Sequence, residues 1–144
     1  MESNTLHRGR LIDHILLVVE DFEASKNFYT AVLSALEIPV ITTANEYLLA
    51  DELVVASRRS PEAAWKLTGR HHLAFQARDR DMVDAFYHAA LTHGGRDNGA
   101  PGERHYHPGY YAAFVLDPQG NNIEAVYHGK AERSAGSVAI SFTQ

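Results

Sequence analysis

The sequence predicts an α+β protein built from two copies of one βαβββ unit, and three observations predict it. A short apolar run followed by an amphipathic stretch of helical period occurs twice. The two occurrences align at a constant offset of 58 residues. That offset matches His14 with His72, Asp21 with Asp79, Phe28 with Phe86, Tyr29 with Tyr87, Ala31 with Ala89 and Leu33 with Leu91, six identities in twenty ungapped positions. Each occurrence is then trailed by short strand-like segments punctuated by Gly, Pro, Asn or Asp.

Taken in order, Met1–Gly9 reads as a frayed lead-in. Leu11–Val19 is a nearly continuous apolar run, broken by Asp13 and His14, and reads as a strand covered on both faces. Asp21 is the expected N-cap of a helix over Phe22–Leu36. Ser25, Phe28, Tyr29, Val32, Leu33 and Leu36 make one buried stripe along it, and Pro39 helps end it. Short strands follow at Val40–Thr43, Glu46–Ala50 and Glu52–Ser57. The first module spans residues 11–58 and a polar linker spans 59–69, with one helical turn around Glu62–Trp65. The second module spans residues 70–128. Its strand starts at His72, Asp79 caps its helix Arg80–His93, and Gly94-Gly95 stops that helix. A short strand near Arg96–Asn98 leads into a Gly/Pro-rich loop over Gly99–Gly109. Then comes a hairpin, Tyr110–Leu116 and Asn122–His128, joined by Asp117-Pro118-Gln119-Gly120 with type I turn chemistry. In the tail, residues 129–144, Val138–Phe142 reads as an edge strand or as a segment docking on a partner.

Bulk properties exclude several functions. A formal charge of −5 and no basic stripe argue against nucleic acid as a partner. No apolar run approaches the ~20 residues of a membrane span. The polar start, Met1–Arg10, has no signal-like apolar core, so a cytoplasmic protein is expected. There are no cysteines, which removes disulfides, zinc thiolates and thiol nucleophiles. The nine histidines become the main source of metal ligands and of bases titrating near neutrality.

Glu124 is the residue that asks for an explanation. It lies in a strand between Ile123 and Ala125-Val126, where a carboxylate is costly to bury unless a cation meets it. His14 and His72 hold equivalent places in the two copies. Two imidazoles and one carboxylate, with positions left open for water or substrate, make a divalent-metal site. His71 neighbours His72 but alternates to the other strand face, and it reads as structural.

Ile12-Asp13-His14, Phe28-Tyr29, His72-Leu-Ala-Phe and Asp117-Pro-x-Gly-x-x-x-Glu124 together resemble the vicinal oxygen chelate superfamily, over about residues 11–128. That superfamily includes glyoxalase I, bleomycin-resistance proteins, fosfomycin-resistance enzymes and extradiol dioxygenases. The resemblance implies the glyoxalase/bleomycin resistance/dihydroxybiphenyl dioxygenase fold, in which the two modules form a cupped mixed sheet. It implies His14, His72 and Glu124 as ligands of a divalent ion (Fe, Mn, Ni, Co or Zn), a small-molecule substrate and a homodimer.

Departures narrow the reaction. Glyoxalase I has a further Glu on the last strand of its first module, but Leu53–Ser57 carries no acid and Glu52 stands only at its edge. His107 matches the His of the extradiol signature, while Phe114 stands where that family has Tyr, so Tyr110 or Tyr111 becomes the phenol that serves the site. The expected protein is a metal-dependent lyase, isomerase or dioxygenase acting on vicinal oxygens through an enolate-like intermediate. In it, His107, Tyr110 and Tyr111 handle protons or substrate. The alternative is a bleomycin-resistance-type binding protein without turnover.

Overall fold

The computed structural model describes residues 5–9, 12–43, 46–63 and 67–141. The chain divides into two compact units. One takes in Met1–Phe22, Pro39–Thr68 and Glu132–Gln144, and the other Glu23–Ile38 and Gly69–Ala131.

The first unit holds a four-stranded mixed sheet. Its strands are β2 (Ile15–Val19), β3 (Ile41–Thr43), β4 (Tyr47–Ala50) and β5 (Leu53–Ser57), in the order β2-β5-β4-β3. β2 runs parallel to β5, and the other pairs are antiparallel. β5 is buried throughout, as its apolar sequence requires. The free edge of β2 is partly covered by Thr68, whose hydroxyl accepts from Val18 N at 2.7 Å while its own N–H donates to Val18 O. The predicted strand over Leu11–Val19 is shorter than expected. Leu11 lies outside the described residues, and Asp13 and His14 bond each other's side chains in solvent, so the ladder begins at Ile15.

Both chain ends depart from expectation. The predicted lead-in forms β1 (Thr5–Arg8), and the tail forms β10 (Val138–Ser141); the two pair antiparallel. Arg8 is buried and donates to the Asp51 carbonyl, with Asp13 3.7 Å from its Nε, which ties the ribbon to the β4–β5 turn. The linker turn is a short 3-10 stretch, Pro61–Ala63, and Trp65 lies outside the described residues.

The second unit repeats the sheet. β6 (His72–Gln76), β7 (Arg96–Glu103), β8 (Tyr111–Leu116) and β9 (Asn122–Tyr127) are ordered β6-β9-β8-β7, again with the first strand parallel to the last. Helix α2 (Arg80–Thr92) covers one face, where Phe75 meets Phe86 edge-on and Ala113, Val115 and Ile123 are fully buried. Asp79 caps α2 by accepting from Met82 N at 2.8 Å. β7 corrects the predicted loop over Gly99–Gly109: the strand continues through Pro101 to Glu103. It is the sheet edge, where proline is tolerated, and register shifts on either side of Gly99 bend it. The loop proper is residues 104–110, closed by Arg104 N donating to Tyr110 O.

Helix α1 (Phe22–Ala35) falls, apart from its first residue, in this second unit. Its predicted stripe is buried at every position. Phe28 approaches so closely that a Cβ on Gly95 would come within 2.7 Å of it. The Tyr29 hydroxyl donates to Asp117 Oδ2 at 2.6 Å. Among the described residues no helix is long and apolar enough to cross a membrane.

Candidate functional site

The face of the second sheet turned away from α2 carries the site. Strand alternation sends His72, Glu124 and Phe114 to that face and Phe75, Ile123 and Val115 to the helix. Glu124 is opposite Ala74 on β6 and Phe114 on β8, with His72 one step diagonal to it. Its side chain is only 4% exposed, against 45% for His72.

The donors are oriented. His72 Nδ1 lies 2.7 Å from the Asn122 carbonyl, an acceptor only, so Nδ1 carries hydrogen and Nε2 is the nitrogen turned toward Glu124. Nε2 lies 3.0 Å from Glu124 Oε1. That is the distance of a direct hydrogen bond, and it is also about the separation of two donors bound side by side to one ion at about 2.1 Å each. The other carboxylate oxygen, Oε2, accepts a short hydrogen bond from the Tyr110 hydroxyl. Burial, and then the Glu124 hydrogen bond and charge, push the Tyr110 phenol far above its usual range, so it stays protonated and acts as a donor. Phe114 lies near-parallel to the His72 ring at 6.1 Å and walls the site.

The other predicted residues fall as follows. His14 belongs to the first unit, immediately before β2; its side chain is exposed and its Nδ1 is 2.6 Å from Asp13 Oδ1. Among the described residues no three His, Asp or Glu side chains gather as a ready metal cluster. The His72–Glu124 pair is the part of the predicted set that one unit holds by itself.

His107 sits in the 104–110 loop with both nitrogens engaged, Nδ1 with Pro108 O and Nε2 with His128 Nδ1, each at 2.9 Å. It meets the Tyr110 ring edge-on at 5.3 Å. Tyr111 points the other way. Its hydroxyl donates to Asp84 Oδ1 of α2 at 2.7 Å and Arg80 lies over its ring, because successive strand residues face opposite sides. Of the two phenols, Tyr110 is the one that reaches Glu124.

Sequence reasoning missed His128, which follows β9 with no motif to mark it. The run Arg104–Tyr111 reads from sequence as a polar, aromatic loop that orients an anionic or aromatic substrate, and the Arg104 guanidinium lies over Phe114 at 5.4 Å.

The first module has no acid at the equivalent place. The offset of 58 sets Leu16 against Ala74, and Leu16 pairs with Val54 as Ala74 pairs with Glu124. The place of the acid is thus held by a buried valine, and Glu52 falls two residues earlier, at the level of Asn122.

Two sheets of identical strand order, one bearing an imidazole–carboxylate pair beside a phenol, define a protein of two βαβββ modules. The profile of the Glyoxalase/Bleomycin resistance protein/Dioxygenase superfamily matches residues 11–125, and the chain belongs to that superfamily. No curated protein matches the sequence. Among solved structures it is similar to a glyoxalase/bleomycin resistance protein from Albidiferax ferrireducens T118. That match has 27% identity and a TM-score of 0.64, and covers 81% of this chain and 98% of that one. It also resembles a glyoxalase/bleomycin resistance protein/dioxygenase family enzyme from Burkholderia phytofirmans PsJN, at 21% identity and TM-score 0.62, covering 81% and 97%. A glyoxalase-related enzyme from Fulvimarina pelagi matches at 19% identity and TM-score 0.62, covering 88% and 99%.

Proposed function

We propose that the chain is a metal-dependent enzyme of this superfamily, a lyase, isomerase or dioxygenase that acts on a small molecule with vicinal oxygens. The observation that carries the reading is the His72–Glu124 pair, with Nδ1 held by the Asn122 carbonyl and Nε2 set 3.0 Å from Oε1. His14, the repeat counterpart of His72, is the third ligand in this proposal. A divalent ion held there would supply Lewis acidity, polarising the substrate oxygens and stabilising charge that develops on them. Fe, Mn, Ni, Co and Zn all suit two imidazoles and a carboxylate.

The chain's own groups do the rest. Tyr110 fixes Glu124 by holding Oε2, which leaves Oε1 toward His72. Phe114 offers a flat apolar wall beside His72. His107 and His128 pack edge-on against Tyr110 and set its ring, with His107 as the group through which a proton leaves toward solvent.

A second reading, a binding protein without turnover, is favoured by one observation. Tyr110 and His72 already satisfy both oxygens of Glu124 without a cation. Metal analysis of protein purified without chelator separates the two. About one metal per chain, lost in His72→Ala and Glu124→Ala, supports the enzyme. Metal-free protein that remains metal-free after incubation with each ion supports the binding protein.

A further inference from the structure

We infer that Arg104 is the anchor for a carboxylate on the substrate, so that the site takes planar molecules with vicinal oxygens at one end and a carboxylate at the other. The inference rests on the chelation proposed above and specifies its substrate class.

The guanidinium has a built seat. Gly99 stands opposite Phe114 across β7 and β8. A Cβ on Gly99 would come within 3.2 Å of the Phe114 ring and 3.3 Å of Arg104 Nη2, and one on Gly102 within 3.0 Å of Arg104 Nη1. The two glycines therefore clear the floor on which the guanidinium lies. Nη2 donates to Ala100 O at 2.7 Å, and Nη1 makes a long contact to Glu103 O. These fix its plane and leave Nε–H and further N–H groups without an acceptor among the described residues.

The charge is uncompensated. Arg8, Arg58, Arg78 and Arg80 each have a carboxylate within ion-pair distance. Arg104 has none among the described residues, in a chain with a net charge of −5. Its two backbone hydrogen bonds lie at the exposed surface, so the guanidinium is open to an incoming carboxylate, which it can meet with two parallel hydrogen bonds.

The placement sets the ligand's shape. Crossing the face from Glu124 on β9, the next strand presents Phe114, and the guanidinium lies over the strand beyond it. Strands are about 4.8 Å apart, so roughly 10 Å separates the donor pair from Arg104. A planar ligand lying along Phe114 spans that distance with a short side chain between its oxygens and its carboxylate.

The test measures binding to metal-loaded protein by calorimetry. The probes are 3-(3,4-dihydroxyphenyl)propanoate and its neutral amide, and the proteins are wild type, Arg104→Gln and Arg104→Lys. The expected result is that wild type prefers the acid by at least about tenfold, that Arg104→Gln lowers that ratio to about one, and that Arg104→Lys falls between. Amide affinity and metal content stay unchanged in both variants, which shows that they are folded. Equal binding of acid and amide by wild type, or an unchanged preference in Arg104→Gln, overturns the role of Arg104 and leaves chelation standing. Failure of both probes to bind metal-loaded wild type overturns the chelation and the substrate class with it.

Discussion

At the scale of single residues, Asp117 does more than its turn requires. Its Oδ1 accepts from Gln119 N and Asn121 N, each at 2.9 Å, and its Oδ2 takes the Tyr29 hydroxyl. One carboxylate thus shapes the hairpin that carries Glu124 and fastens α1 to it. Removing the hydroxyl in Tyr29→Phe leaves a buried acceptor short of a donor. It should cost about 1–3 kcal/mol in urea unfolding at pH 8. Burial, reinforced by Asp117, holds the Tyr29 phenol well above its usual range in the folded protein. The unfolded chain ionises near pH 10, so this contribution is complete below that pH and declines as pH rises above it. Unfolding of wild type between pH 9 and 11 should show the decline, and Tyr29→Phe should make it shallower, with the other raised phenols keeping the rest. The sequence shows Tyr29 as part of a buried helical stripe and Asp117 as a turn residue. Their bond was not legible because the partners are 88 positions apart and neither belongs to a motif with the other. The resting place of the Arg104 guanidinium was hidden for a similar reason: a cation in a polar loop says nothing of where its plane will lie.

At the scale of elements, the helices were readable and the edges were not. Periodic apolar spacing and caps placed α1 and α2 to within a residue or so at each end. β7 was read as mostly loop because Gly99, Pro101 and Gly102 are poor strand formers, but edge position and bulges accommodate all three. The loop that follows is clasped to the end of β9. Gly109 and Gly129 both take positive φ, and a Cβ on Gly129 would lie 3.1 Å from Gly109 Cα and O. Gly129→Ala should therefore strain its own backbone and push the 104–110 loop away. The expected outcome is faster amide exchange at Arg104 and Tyr110 with little change at β6, measured by hydrogen exchange. Beneath α1, Gly95→Ala should cost about 1–3 kcal/mol in chemical unfolding, because Phe28 and the Ala90 carbonyl both occupy the space a methyl needs.

For the molecule as a whole, the duplication read from six identities is borne out as two sheets with the same strand order. The grouping of α1 with the second sheet was not legible, because periodicity says that a face is buried and not against what. Pairing of the two chain ends was hidden likewise, since β1 and β10 are short and lie at opposite ends of the sequence. Homodimer formation belongs to this scale as a proposal, and sedimentation velocity at micromolar concentration should show a single species of about twice the 16.0 kDa chain mass. The candidate site was half legible. The pairing of His72 with Glu124 followed from repeat and motif, whereas the geometry that turns Nε2 toward Glu124 required the parallel register of β6 on β9. Anomalous diffraction from crystals of the metal-replete protein tests the central claim most directly. The account predicts one strong peak about 2.0–2.2 Å from both His72 Nε2 and Glu124 Oε1, with His14 as a further ligand. A metal located elsewhere, or no peak between an imidazole and a carboxylate still 3.0 Å apart, would contradict it.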